Sequence, residues 1–466
     1  MEPSVTEENH FLDVTSARME EEIQVLLIQR ALLRRRANSF RDKTFIFPPE
    51  TLTTIFEHAI RGNSHPILRL AAVCFRWRRV IWDTPTLWTH IMLCSKQAGV
   101  WQMLSLHLEN AKDASLSIRL PTHYGLGTPL NPILDLVRAV YIDCAEKTRR
   151  LDFGPIDKLV WDVLASHSAP TEFPRLEAAK LEFETQFYAG LPKDLFCHSP
   201  LLRSVELKNP LPGIEHYLPF HQLTSLSLQN CGPTHALYLL SHCPELISFH
   251  SGDGSPGICD DKTFTLGTSV MLRDLRFLKW ESGEIPHVAN FIADIHLPSV
   301  EELYWQDPLE PTAKHLWEPF FARMSGVRVL ECKFSPGTID LLNTFRSLEV
   351  VHIRFDGFFD NLQAITHLVS RLAWTEEGSA LPYLKEFTIT LEDKEKVMSE
   401  KRLPFLDALI QTVKSRRVER NAKGCTLLEK LTLKLSFLVV WGTWHRHLVN
   451  SLNELKQRGL RISIIH

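Results

Sequence analysis

The stretch that opens Phe45-Ile46-Phe47-Pro48-Pro49-Glu50 and closes Leu87-Trp88-Thr89-His90-Ile91-Met92 holds 24 apolar residues in 48 positions, Trp77, Trp82 and Trp88 among them. A unit this small buries only about 60% of the surface its unfolded chain exposes. Some of its large side chains are therefore expected to face a neighbouring domain or another protein. Pro48 and Pro49 precede Leu52, Ile55, Phe56, Ala59 and Ile60, the spacing of one helix face, with proline where a missing N–H costs nothing. After the break at Gly62 to Pro66, a second helix is predicted through Leu70, Val73, Cys74, Trp77, Val80 and Ile81, stopped at Asp83-Thr84-Pro85. Leu87 and Trp88 come after that stop, where little core is left to cover them, so they are expected as anchors of a docking surface.

At these residues the segment resembles the F-box, the short helical module that binds the Skp adaptor of cullin-RING ubiquitin ligases. The family's Leu-Pro-x-Glu-x-Leu-x-x-Ile stands here as Phe47-Pro48-Pro49-Glu50-Thr51-Leu52-Thr53-Thr54-Ile55. Its Val-Cys-(Lys/Arg)-x-Trp-(Arg/Lys) pattern stands as Val73-Cys74-Phe75-Arg76-Trp77-Arg78-Arg79, and its Pro-x-Leu-Trp as Pro85-Thr86-Leu87-Trp88. Phe47 replaces the usual first leucine, and the Gly62 to Pro66 turn replaces a connection that commonly contains Asp. The Thr-Pro-Thr-Leu-Trp ending looks most like F-box proteins of fungi. The resemblance implies an adaptor-binding set of Pro48, Pro49, Leu52, Ile55, Phe56, Val73, Cys74, Trp77, Leu87 and Trp88.

In the whole chain of 466 residues, 52 Lys and Arg face 55 Asp and Glu, and a net charge of −3 gives no electrostatic reason to expect nucleic acid or an anionic membrane as partner. The N-terminus carries no basic and apolar leader pattern, and no apolar run approaches the roughly 20 residues that span a bilayer. The nine cysteines lack paired spacing, which suits reduced thiols. The expectation is a soluble intracellular protein, cytoplasmic and/or nuclear.

Ahead of the helical segment, residues 13 to 38 read as a helix, with Ile23, Leu26, Leu27 and Ala31 near one face. Glu20 to Glu22 lie toward its start and Arg34 to Arg36 toward its end. That polarity complements the helix dipole, and the arginines also read as an import signal. The helix is expected either to pack on the F-box-like segment or to pair with another chain.

Beyond residue 93, phrases spaced Leu-x-x-Leu-x-Leu recur: Leu202/Val205/Leu207, Leu223/Leu226/Leu228, Leu275/Leu278/Trp280, Val300/Leu303/Trp305, Val327/Leu330/Cys332, Leu348/Val351/Ile353, Leu384/Phe387/Ile389 and Leu428/Leu431/Leu433. Weaker copies start at Leu176 and Leu246. Most starts lie about 21 to 29 residues apart, at or slightly above the period of leucine-rich repeats, with room for one or two helical turns between phrases. Many phrases open on a proline, as at Pro174, Pro200, Pro244 and Pro382, and Cys231 stands where such repeats place a turn-bonding Asn or Cys. A doubly wound sheet would need longer helices between its strands. The predicted fold is therefore α/β: a tail and amphipathic helix at 1–44, a helical F-box at 45–92, and an irregular leucine-rich-repeat solenoid at 93–466, its parallel sheet curved and its helices on the convex side.

Catalytic and metal signatures are weak. Gly252 to Gly257 lacks the trailing Lys-Ser/Thr of a phosphate loop; Cys231, His235, His242 and Cys243 are a conceivable zinc set, but two of them already carry repeat roles and the adjacent His242-Cys243 is an awkward chelating pair; and His445 and His447 diverge on a helix. Residues 251–267 and 392–402 read as loops, and Lys414, Arg416, Arg417 and Arg420 as a solvated helix face. No catalytic residue, metal or cofactor is expected. The residue between the anchors of each phrase points outward, giving Lys180, Glu206, Ser227, Lys279, Tyr304, Glu331, His352, Thr388 and Thr432, a mixed row suited to a protein target, with Tyr304, Glu331 and His352 the best candidates. Together with the resemblance, this predicts a non-catalytic substrate receptor that joins a protein target to a Skp-type adaptor and, through it, a cullin scaffold. The alternative is a repeat interaction protein that delivers no degradation target.

Overall fold

The computed structural model describes residues 5–41, 43–60, 66–93, 99–121, 131–165, 171–184, 196–252, 269–281, 291–356, 362–374, 381–392, 403–418, 426–435 and 441–465. The chain forms two compact units, Met1–Gly154 with Glu172–Leu176, and Pro155–Thr171 with Glu177–His466. Most of the turn at Gly62 to Pro66, the parts 253–267 and 393–402 of the two loops read at 251–267 and 392–402, and Arg420 lie outside the described residues, while Ser251, Gly252 and Glu392 belong to strands.

The first unit begins with α1 (Val5–Arg41), followed by α2 (Pro49–Ile60), α3 (Pro66–Ala71) and α4 (Phe75–Asp83). Where the sequence predicts one second helix, the structure has two. Cys74 takes an extended conformation (φ −150°) and caps α4, its sulfur accepting from the Trp77 N–H at 3.5 Å, so the helix cannot run through it. A tight turn at Pro85–Trp88 leads into β1 (His90–Met92), α5 (Val100–Ala111), β2 (Leu116–Pro121) and β3 (Thr148–Ile156), and these three strands pair in parallel. The compact unit thus extends past residue 92, where the sequence reading ends its helical segment, because α5, β1, β2 and β3 as far as Gly154 belong to the same body.

The second unit is a parallel ladder in which each strand of the sheet neighbours the next along the chain. It contains β4 (Ala178–Phe183), β5 (Ser204–Lys208), β6 (Ser225–Gln229), β7 (Ser248–Gly252), β9 (Phe277–Trp280), β11 (Glu302–Trp305), β12 (Val329–Lys333), β13 (Val350–Asp356), β14 (Glu386–Glu392), β15 (Lys430–Leu435) and β16 (Arg461–Ile465). A short parallel pair, β8 (Val270–Met271) and β10 (Ile295–His296), stands apart. Every strong or weak repeat phrase becomes a strand, and its anchors are buried. Pro174, Pro200, Pro244 and Pro382 each occupy the second position of a turn closed by a backbone hydrogen bond, such as Leu202 N–H to the Ser199 carbonyl at 3.1 Å, so the fixed φ of proline presets the entry to the strand. This is an α/β solenoid with the repeat geometry the sequence predicts.

The helices between strands cover the anchor side. Trp280 stacks on Phe291 at 3.9 Å and on Trp305 at 6.1 Å, and Trp305 meets Phe321 of the helix Lys314–Ala322 at 5.1 Å. Burial of these large rings supplies much of the hydrophobic drive of the solenoid. Two local expectations change. The turn role read at Cys231, whose sulfur lies 3.6 Å from the Gly232 carbonyl, is shared with asparagines: Asn209 and Asn230 adopt left-handed backbone (φ 52° each), and the Asn209 amide donates to the Phe183 carbonyl at 2.8 Å. Arg416 is buried within the helix Leu403–Val418 rather than solvated, donating to the carbonyls of Leu372 (2.6 Å) and Leu381 (2.9 Å), which leaves its charge hydrogen-bonded.

Candidate functional site

In the first unit, α2 turns Leu52, Phe56 and Ile60 inward at four-residue spacing, and Ile55 remains 45% exposed on the outer side. Phe56 meets Trp77 of α4 with ring centroids 4.9 Å apart. The Trp77 indole donates to Thr44 Oγ1 at 2.8 Å, and Arg76 donates to the carbonyls of Thr44, at 2.7 Å, and of Phe47, while its guanidinium lies 5.1 Å over the Phe45 ring. These contacts bind the segment Lys43–Ile46 and Phe47 to the start of α4. The result is an apolar surface that water faces: Phe45 is 76% exposed, Ile46 80% and Phe75 70%, with Phe47 and Ile55 also open. Exposed aromatic and aliphatic groups held by a rigid support are what a protein interface needs at its centre.

The structure separates the sequence-predicted adaptor set into two groups. Pro48, Pro49 and Ile55 are exposed, and Val73 and Trp77 are half-buried. Leu52, Phe56, Cys74, Leu87 and Trp88 are core residues. The expectation of Leu87 and Trp88 as exposed anchors is therefore corrected. Trp88 is 0% exposed because the unit extends beyond residue 92: its indole donates to the Ile81 carbonyl at 2.8 Å, meets Trp82 edge-on at 5.0 Å, and meets His107 of α5 at 5.3 Å. His107 Nδ1 lies 2.8 Å from the Trp88 carbonyl, which can only accept, so that nitrogen carries the proton. Burial lowers the His107 pKa against the raising effect of this hydrogen bond, so the ring is neutral. The sequence reading missed Phe45, Ile46 and Phe75. A usable signal was present at Phe75, which falls off the helical period of Leu70, Val73, Cys74 and Trp77.

In the second unit, the row expected to point outward falls in one register, although Thr432 within it is buried. Lys180, Glu206, Ser227, His250, Lys279, Tyr304, Glu331, His352, Thr388, Thr432 and Ser463 are successive pairing partners across the ladder. The phrase periodicity named nine of them; His250 and Ser463 come from strands with weak or unrecognised phrases. Ion pairs cross the rungs: Lys180 to Glu206 at 2.5 Å, Lys208 to Glu182 at 2.7 Å, Lys333 to Asp356 at 2.7 Å and Lys430 to Glu386 at 2.8 Å. His352 is held on both sides, by Glu331 through Nδ1 at 2.8 Å and by Thr390 through Nε2 at 2.7 Å. Burial works against the charged form of Glu331, but the hydrogen bond and charge of His352, with Arg354 and Lys434, outweigh it and hold its carboxyl below the usual range. Tyr304 lies against Phe277 with centroids 5.0 Å apart, a pair that the sequence reading saw only as tyrosine.

Among the described residues no group of three or more His, Cys, Asp or Glu side chains could hold a metal ion, and no helix is long and apolar enough to cross a membrane. His235, named with Cys231, His242 and Cys243 as a conceivable zinc set, is buried, and burial takes its pKa down to about 4.

No curated protein matches this chain. Among solved structures, the crystal structure of a Bacteroides fragilis protein from a structural genomics programme overlaps 68% of this chain and 73% of its own, at 12% identity and a TM-score of 0.29. The F-box-like family model matches residues 47–94, the segment that carries α2 to α4 and the Trp88 turn. Residues 47–94 of this chain are an F-box-like domain.

Proposed function

We propose that this chain is the substrate-receptor subunit of a Skp-cullin-F-box ubiquitin ligase. The F-box-like domain holds a Skp-type adaptor, and the outward face of the ladder holds a protein target. The observation that carries this reading is the apolar surface of Phe47, Ile55 and Phe75 in the segment that matches the F-box-like model, with Phe45 and Ile46 just ahead of it. Pro48 and Pro49 extend that surface, and Val73 and Trp77 support it from beneath. Target contact falls to Tyr304 with Phe277, whose joined rings offer large area at low entropic cost. Glu331 and His352 engage each other at 2.8 Å, so they serve a target as a fixed polar rim. The chain contributes proximity: tethering raises the concentration of target lysines near a charged ubiquitin carrier held elsewhere in the assembly, and no side chain here takes part in transfer.

The test is co-purification with a Skp adaptor and a cullin, with and without an inhibitor of cullin activation. A receptor retains both subunits and accumulates a bound protein under inhibition. An interaction protein that delivers no degradation target retains its partners unchanged by the inhibitor. Absence of the adaptor overturns the receptor reading and leaves an interaction protein with other partners.

A further inference from the structure

We propose that α1 is a self-association device that pairs antiparallel with α1 of a second copy of this chain. The helix spans 37 residues, or about 55 Å at 1.5 Å per residue. Its tie to the rest of the first unit includes the Asn38 amide, which donates to the Val73 carbonyl at 2.9 Å. Met19, Ile23, Leu26, Leu27 and Leu33 are nonetheless exposed along it, and Phe40 is 83% exposed. A helix of this length with its leucines in water needs a partner to bury them.

The spacing says what kind of partner. Met19, Leu26, Leu33 and Phe40 recur every seven residues, and Ser16, Ile23, Arg30 and Ala37 each stand three before one of them. That is the two-position seam of a coiled coil. In one antiparallel register the seam closes in layers: Ser16 against Phe40 of the second copy, Met19 against Ala37, Ile23 against Leu33, and Leu26 against Arg30. Leu27 then meets Leu27 at the two-fold axis.

Charge selects the same register independently. It sets Glu20 opposite Arg34 and Glu22 opposite Arg36 at the flanking positions, twice over by symmetry. A parallel pair would align Glu20 to Glu22 with their own copies, Arg34 to Arg36 with theirs, and Arg30 with Arg30 in the seam, so like charge disfavours it. In the antiparallel pair Arg30 lays its stem on Leu26 and keeps its head in water. The exposed pair of Glu22 with Arg18 at 3.6 Å within one helix is worth little and does not compete. Val25, Ile28 and Leu32 lie off the seam and stay uncovered in the pair.

The test uses the full chain. Light scattering at micromolar concentration should give twice the mass of one chain, and Leu26→Glu with Leu33→Glu should give single chains with the fold outside α1 intact by circular dichroism. Orientation is read from cysteines. A Met19→Cys chain mixed with an Ala37→Cys chain should cross-link under copper-phenanthroline oxidation, and the Met19→Cys chain alone should not. Single chains for the unaltered protein, a dimer that survives the double Glu variant, or cross-linking by Met19→Cys alone would each overturn the proposal. A different protein bound to α1 in place of a second copy would overturn it as well.

Discussion

His107 on α5 and Trp88 at the end of the F-box-like helices are joined twice, by a 2.8 Å hydrogen bond from Nδ1 to the Trp88 carbonyl and by a 5.3 Å edge contact between the two rings. This pair makes Trp88 a structural residue of its unit. Trp88→Ala should therefore cost about 3–5 kcal/mol through the cavity it leaves. Circular dichroism should show a lowered melting transition in the variant even without any adaptor, and a melting curve like that of the unaltered chain would return Trp88 to the surface.

Docking should respond to different residues. Phe45→Asp with Ile55→Asp places charge on side chains that water already reaches, so the fold should stay intact while adaptor co-purification falls by tenfold or more, the scale of central interface positions at about 2 kcal/mol each. Undiminished adaptor capture by this variant would remove Phe45 and Ile55 from the interface.

Arg76 holds the exposed segment without belonging to the apolar surface. Arg76→Lys keeps the charge but loses the fork that reaches the Thr44 and Phe47 carbonyls together. Adaptor dissociation should become faster in this variant, with overall helicity unchanged, as surface plasmon resonance can measure.

Buried histidines set an acid limit. Burial lowers the pKa of His107 and takes that of His235 to about 4, whereas an unfolded chain binds the proton near pH 6.5. Their contribution to stability is whole above that value and is lost as pH falls toward the folded pKa, because the unfolded state then binds more protons. For His235 the loss is on the order of 3 kcal/mol by pH 4. Thermal midpoints recorded from pH 7 to 4 should fall less steeply for His235→Phe than for the unaltered chain.

Gly337 gives a packing test inside the ladder. A Cβ there would come 2.6 Å from the Leu309 carbonyl oxygen and 2.8 Å from its Cβ, contacts that no side-chain rotation relieves. Gly337→Ala should destabilise the second unit by about 1–3 kcal/mol, visible as a lower denaturant midpoint. Target binding by the Tyr304→Ala, Phe277→Ala variant should weaken with that midpoint unchanged, since both rings lie on the outward face.

The ladder was readable from sequence because its signal is local. Each Leu-x-x-Leu-x-Leu phrase carries its own turn, strand and alternation, and Tyr304, Glu331 and His352 followed from parity alone. What escaped depended on distant partners. Phe277 became a neighbour of Tyr304 only through parallel register, Arg416 found its carbonyl acceptors roughly forty residues back, and Trp88 was covered by a helix beginning at Val100. The split of α3 from α4 rested on the sulfur cap of Cys74, a weak acceptor that helical periodicity does not register.

The strict alternation along the ladder gives its two faces separate histories. A substitution between the anchors alters what the surface recognises while leaving the packed rings beneath untouched, and a whole rung can be gained or lost without shifting the parity of its neighbours. Deleting a single residue within a strand instead exchanges the faces. Such a body can take on a new target by small steps on one side, at little cost to its stability.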